Sequence, residues 1–207
     1  MARPASDLAA RIVTAATGRF LHDGVDGASL RRIARDARTN LGMVYYYFPT
    51  KDDLFLAVVE RHYAPLAASL TEAVSADAPF DARVQAFFAR FGAMSDDEFT
   101  VLRLVLREAM VSSERLSRVA GRMMQGHLPP LFALVGEGFG AGHVDGQLHP
   151  AAALVTLAAL AVGPQIILRR IAASGLPIPG PLPTPDAFAT MLAGVALHGI
   201  APRTPPR

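Results

Sequence analysis

Between positions 31 and 51 the chain reads RRIARDARTNLGMVYYYFPTK, in which Arg31, Arg32, Arg35 and Arg38 precede three consecutive tyrosines, Tyr45, Tyr46 and Tyr47, and then Lys51. Guanidinium and ammonium groups are pure donors, and a phenolic hydroxyl can bond a phosphate or a base edge. Only Asp36 opposes these cations within the segment. The chemistry on offer is recognition of a polyanion, because each neutralised phosphate releases counterions and adds affinity that does not depend on base sequence. Charge along the whole chain agrees. Residues 1–51 carry eight Lys+Arg against four Asp+Glu, a net of +4, and the remainder carries twelve against fourteen, a net of −2.

Bond-making chemistry finds no comparable set. The six histidines, at 22, 62, 127, 143, 149 and 198, fall in no HExxH or HxH spacing, and there is no Gly-x-Ser-x-Gly elbow. Glycines 138, 140 and 142 follow no strand pattern and so lack the context of a dinucleotide fingerprint. Asp96, Asp97 and Glu98 could pass for a metal cluster, but at a helix start they read as charges that complement the helix dipole. With no cysteine, disulfides, thiolate metal sites and cysteine nucleophiles are all excluded. The expectation is no enzyme, no metal and no cofactor.

The elements that must position the basic segment are legible. Leu30, Ile33, Ala34 and Ala37 recur at helical spacing, and Ser29 just before them suits an N-cap. The pattern stops at Arg38-Thr39; Asn40, another good cap, opens a second run with Leu41, Val44, Tyr45 and Phe48 as its apolar face, and Pro49 ends it. Two short helices about a brief turn make a helix-turn-helix, whose second helix enters the DNA major groove. An ordinary amphipathic helix pair in a core would show the same periodicity, and these residues alone leave that alternative open.

The remaining pattern predicts an all-α chain. Helix one runs from Ser6, a candidate cap, to Leu21 with Leu8, Ile12, Ala15, Ala16 and Phe20 inward. A fourth helix spans Lys51 to Ala64, where Pro65 should kink or break it. Further helices follow at Phe80 to Met94, Phe99 to Val111, Ser113 to His127 and Pro129 to Phe139. Pro150 then opens a long helix ending near Ser174-Gly175, and Asp186 to His198 is the last, before a loose tail from Ala201 to Arg207. The division expected is a helix-turn-helix head over 1–50 and a helical domain over 51–203; with 51% hydrophobic residues the chain can bury a sizeable core.

Ala151 to Leu168 is apolar enough to suggest a membrane span, but Gly163, Pro164 and Gln165 interrupt it, and it is read as a helix buried on several sides. The N-terminal MARPASDLAAR lacks a signal-peptide pattern, so a cytoplasmic protein with no membrane partner is expected. Phe87, Phe91, Met94, Leu106 and Met110, with Met123, Met124 and Phe132, are the flexible and aromatic side chains suited to an adaptable apolar cavity. Arg103, Arg107 and Gln165 are candidate polar anchors for an effector held there. Such a stripe also suits plain core, and Arg107 beside Glu108 suits an ordinary ion pair.

From Ile12 to Tyr63 the chain resembles the DNA-binding region of the TetR family of bacterial transcriptional repressors. The residues that carry the likeness are Phe20, Gly24, Gly27-Ala28-Ser29-Leu30, Ile33-Ala34, Ala37 and above all Tyr45-Tyr46-Tyr47-Phe48-Pro49-Thr50-Lys51-Asp52-Asp53-Leu54. The likeness covers about a quarter of the chain. Arg38 stands where the family usually has Gly, so the turn must either hold a non-glycine residue in the left-handed region or follow another path. Leu41 replaces a commonly polar or basic residue.

The resemblance implies a ligand-responsive regulator, most simply a repressor, that binds a palindromic operator in double-stranded DNA as a homodimer and is released by a small apolar or amphipathic effector. By carry-over, Tyr45, Tyr47 and Lys51 would hold phosphates, with a backbone amide from Ser29 or Leu30. Leu41, Gly42, Met43 and Tyr46 would face bases, with Arg38 and Asn40 at the same surface. The dimer would form through the two C-terminal helices, Ala151 to Ala173 and Asp186 to His198; independently of the family, their small residues permit close approach and their apolar faces need cover. The alternative is a helical interaction adaptor that keeps the helix pair without specific DNA binding.

Overall fold

The computed structural model describes residues 5–177 and 179–199, and among them every regular element is a helix. The chain divides into two compact units, Met1–Leu66 with Ser95–Met123, and Ala67–Met94 with Met124–Arg207. The first unit keeps helices beyond the head because they complete its core.

In that unit, α1 (Ala5–Gly27), α2 (Leu30–Asp36) and α3 (Leu41–Tyr47) form the head, with the first part of α4 (Lys51–Ser75), α6 (Asp96–Val111) and α7 (Ser113–Met124) around them. Ile12, Ala16, Phe20, Ile33, Ala34 and Val44 of the head share one buried cluster with Leu54, Phe55 and Val58 of α4. Val101, Leu104, Val105 and Val119, from α6 and α7, belong to the same cluster. Phe20 meets Phe55 edge to face, ring centroids 6.3 Å apart, a favourable aromatic geometry. α1 ends in effect at Gly24, whose φ of 75° and ψ of 169° are non-helical and open to glycine at little cost.

Caps explain most helix starts. The Asn40 side chain accepts from Met43 N at 2.9 Å, and Ser29 Oγ more distantly from Arg32 N at 3.5 Å. Thr50 and Asp53 cap α4 reciprocally, Asp53 Oδ2 accepting from Thr50 N at 3.0 Å and Thr50 Oγ1 from Asp53 N at 3.0 Å. Ser95 and Glu98 form the same box at α6, so Asp96, Asp97 and Glu98 occupy the first turn of that helix. Ser6 lies within α1, one residue beyond its start, and its side chain is outside the described residues, as is the tail from Ala201.

Pro65 does not break α4, which runs on to Ser75. Proline inside a helix costs about 3 kcal/mol, and burial of Leu66, Leu70 and Val74, spaced four residues apart on one face, offsets it. In α3 the inward face is Val44 with Tyr47 and Phe48 packed against the core, whereas Tyr45 is 49% exposed. The helix is seven residues long, so the inward stripe is two positions wide and Tyr45 falls off its edge.

The second unit packs α5 (Phe80–Gly92), α8 (Leu128–Gly140), α9 (Pro150–Ser174) and α10 (Pro185–Gly199) around Phe87, Phe88, Leu131, Leu134, Leu157, Ala161 and Ala193, all buried. Gly92 allows α5 to touch the start of α10: a Cβ there would lie 2.8 Å from Ala189 Cβ and 2.9 Å from Pro185 O. Arg169 of α9 donates to Gly92 O and Met94 O at 3.1 and 2.9 Å, closing the C-terminal turn of α5. Pro150 is the first residue of α9 and Gly175 its left-handed C-cap at φ 67°. Contrary to a helix buried on several sides, only 33% of the most apolar window of α9 is buried; it is long and apolar enough to cross a membrane, at mean hydropathy 2.1. Val155 and Ile167 of α9 and Met191 and Val195 of α10 are each more than half exposed.

Of the two paths open to the turn, Arg38 takes the left-handed one, at φ 53°. An L-residue with a Cβ is strained there, and glycine is not. Arg38→Gly should therefore raise stability by about 0.5–1 kcal/mol, read as a higher urea midpoint at unchanged slope; a lower midpoint would show that the turn is unstrained.

Candidate nucleic-acid interface

Because Ile33, Ala34 and Ala37 point into the core, α2 turns Arg31, Arg32, Arg35 and the following Arg38 to solvent. Asp36 is occupied by Arg19 at 2.7 Å, with Arg35 at 3.9 Å. Among the described residues Arg31, Arg32 and Arg38 make no ion pair. Arg31, Arg35 and Arg38, with Ala34, Thr39 and Leu41, line an open cleft at the start of α3. Unpaired guanidinium groups that flank a helix are an anion surface.

The outward side of α3 is formed by Gly42, Tyr45 and Tyr46, the last 76% exposed, while Leu41 and Met43 are half-buried at its flanks. Gly42 leaves the Asn40 cap undisturbed, since a Cβ there would stand 3.2 Å from Asn40 Oδ1. Tyr47 lies edge-on to Tyr46, with centroids 5.2 Å apart, and steadies it from the core side. Lys51 opens α4, and its ammonium donates to Asp26 O at 2.8 Å.

Beneath this surface lies a polar node that the sequence did not single out. Arg115, in the first turn of α7 and with its side chain 8% exposed, donates from Nε to Asp52 Oδ1 at 2.8 Å and from Nη1 to Glu108 Oε2 at 2.9 Å. Its Nη1 and Nη2 also bracket the Asp26 carboxylate. Buried Glu108 accepts in addition from Val25 N at 3.3 Å and Arg107 Nε at 3.2 Å. Arg118 continues the ladder to Asp53 at 3.2 Å and Arg122 to Glu60 at 2.9 Å, so one face of α7 pairs its arginines with the acidic face of α4. The only sequence signal was arginines at 115, 118 and 122, a helical spacing without a visible partner.

The node sets its own protonation. The hydrogen bond from Arg115 holds the Asp26 carboxyl below the usual aspartate range, and Thr50 first, then Arg118, do the same for Asp53. Asp26, ahead of Asp52, in turn holds the Arg115 guanidinium more firmly protonated, against the opposing effect of burial.

The residues expected to line an effector cavity are split between the units: Arg103, Leu106, Arg107, Met110 and Met123 in the first, Phe87, Phe91, Met94, Met124, Phe132 and Gln165 in the second. Phe87 and Phe91 pack edge to face at 5.2 Å within the core, and Met94 is buried. Leu106, Met110, Met124 and Phe132 are exposed, Met110 by 89%. Two of the proposed anchors have other partners. Arg107 donates to Phe20 O at 2.7 Å and pairs with Glu108, and Gln165 Nε2 donates to Pro185 O at 3.0 Å.

The depressed carboxylates give a pH test with a definite sign. A folded pKa below the unfolded one contributes stability above the unfolded value, near 3.9, and loses it as pH falls through the folded value. Asp26→Asn should lower the melting temperature at neutral pH and make its decline below about pH 4 shallower than in the parent. Parallel acid limbs would remove Asp26 from the node's account.

Residues 12–58 match the family described as bacterial regulatory proteins, tetR family. Over 61 residues the chain is 41% identical to an HTH-type transcriptional repressor of Streptomyces coelicolor, a stretch that is 30% of this chain and 32% of that protein. It thus spans about a third of the length of that curated relative. An uncharacterized HTH-type transcriptional regulator of Pseudomonas putida, TtgW, is 27% identical over 126 residues, 60% of this chain and 94% of that one. Among solved structures, the fold matches the transcriptional regulator FadR of Bacillus subtilis in complex with stearoyl-CoA at a TM-score of 0.72 and 16% identity, over 92% of this chain and 98% of that one. The stretch that holds α2, α3 and their caps is thus the part of the chain similar to the tetR family of bacterial regulatory proteins.

Proposed function

We propose that the chain is a cytoplasmic transcriptional regulator, most simply a repressor, that binds a palindromic operator as a homodimer and releases it on taking up a small apolar or amphipathic effector. The observation that carries the reading is the juxtaposition of unpaired Arg31, Arg32 and Arg38 with the exposed outer side of α3, inside the segment that matches the family. Arginines and Lys51 would meet phosphates, Tyr45 and Tyr47 would add hydroxyl contacts, and a backbone amide of Ser29 or Leu30 would complete the clamp. Leu41, Gly42, Met43 and Tyr46 would face bases. Without Arg, Asn or Gln in α3 no bidentate purine contact is available, so readout leans on thymine methyl groups touched by Leu41 and Met43.

Support for the dimer comes from α9 and α10, whose outward Val155, Ile167, Met191 and Val195 form apolar surface that a symmetric mate would cover. Thr156 and Arg170 of α9 are exposed among these apolar residues, which favours a protein mate over lipid. Support for an apolar effector is the fold shared with a FadR solved with stearoyl-CoA and the aromatic core of α5.

The test is binding to duplex fragments from the DNA beside the gene, titrated with salt. Affinity should fall steeply as salt rises, and Met43→Ala should relax one base position by about 1–3 kcal/mol or less; no binding to any duplex at low ionic strength would overturn the proposal. Val195→Glu should convert a dimer to monomer in sedimentation, and an unchanged dimer would move the interface elsewhere.

A further inference from the structure

Lys51 has an acid beside it. Its ammonium donates to Asp26 O at 2.8 Å, and its charge acts on the carboxylate of the same residue. Left to itself, the Asp26 carboxylate, within electrostatic reach of Lys51, would draw the ammonium into an internal ion pair and away from any phosphate. Arg115 engages that carboxylate: its Nη1 and Nη2 bracket Asp26, while its Nε reaches Asp52 Oδ1 at 2.8 Å. Arg115 is itself held from behind by buried Glu108 at 2.9 Å.

We infer that Arg115 is a positioning residue for DNA binding: by engaging the Asp26 carboxylate it keeps Lys51 available as a phosphate ligand. The inference rests on the proposed DNA-binding function and deepens it. An ammonium carries three protons, and Asp26 O takes one, which orients the long side chain while leaving two for an anion. The guanidinium can do this because its flat fork serves carboxylates from two elements at once, which a lysine at 115 could not. A displacement of the first turn of α7 would withdraw that contact, so the α6–α7 corner is wired to the DNA face through charge as well as packing.

The experiment is a double-mutant cycle on binding to one duplex, with melting temperature recorded alongside. Arg115→Met and Lys51→Ala should each weaken binding about three- to tenfold and flatten the logarithmic salt slope by about one. The double variant should be no weaker than Lys51→Ala alone. Adding Asp26→Asn to Arg115→Met should recover affinity without recovering melting temperature, which a merely structural role would not produce. If Arg115→Met fails to fold, Arg115→Lys replaces it, with the same non-additivity and a smaller loss. Additive losses in the cycle, or an Arg115 variant that is less stable but binds like the parent, would overturn the inference. Failure of the parent chain to bind any duplex would instead sink the proposed function.

Discussion

A three-helix head of some fifty residues is close to the size at which one apolar core barely holds a fold, and that shortage organises the first unit. Phe20, Ile33 and Val44 cannot close their cluster alone; Val101, Leu104, Val105 and Val119 from α6 and α7 close it with them. The head is therefore not a bead on a string. The same packing draws charged groups inward, which is why Glu108 and Arg115 are buried and must satisfy each other. Removing Arg115 would take a shared cation from Asp26, Asp52 and Glu108 at once, so the ionic node is coupled to the apolar closure around it.

Charge is distributed unequally over the head. On α6 and α7, Arg107, Arg115, Arg118 and Arg122 are each matched to a carboxylate; Arg31 and Arg32 of α2 make no ion pair among the described residues. That contrast is what separates a structural arginine from one available to a partner, and it follows from which helix face each occupies. On such a surface, backbone attraction would dominate and sequence reading would be thin, because α3 offers methyl and phenol groups rather than amides and guanidinium groups.

Much of this was legible in advance, because caps and periodicity act locally. Ser29, Asn40, Pro150 and Gly175 sit where their own chemistry puts helix ends. What failed depends on distant residues. Pro65 looked like a stop because its cost is local, while the gain from Leu66, Leu70 and Val74 is tertiary. Tyr45 was assigned inward by a period that a seven-residue helix is too short to enforce. Arg115 could not be found at all, since its partners Asp26, Asp52 and Glu108 lie 89, 63 and 7 residues away. The apolar α9 was read as interior, but one copy of the chain leaves most of its apolar window uncovered.

Gly92 has a reach beyond its own helix. Backbone meets backbone where α5 touches α10, so the seating of α10 is fixed by the absence of a single methyl group. Since the opposite side of α10 bears Met191 and Val195, an interior hydrogen atom sets the standoff of an exterior surface. A side chain at this position would push α10 outward and carry that exterior surface with it.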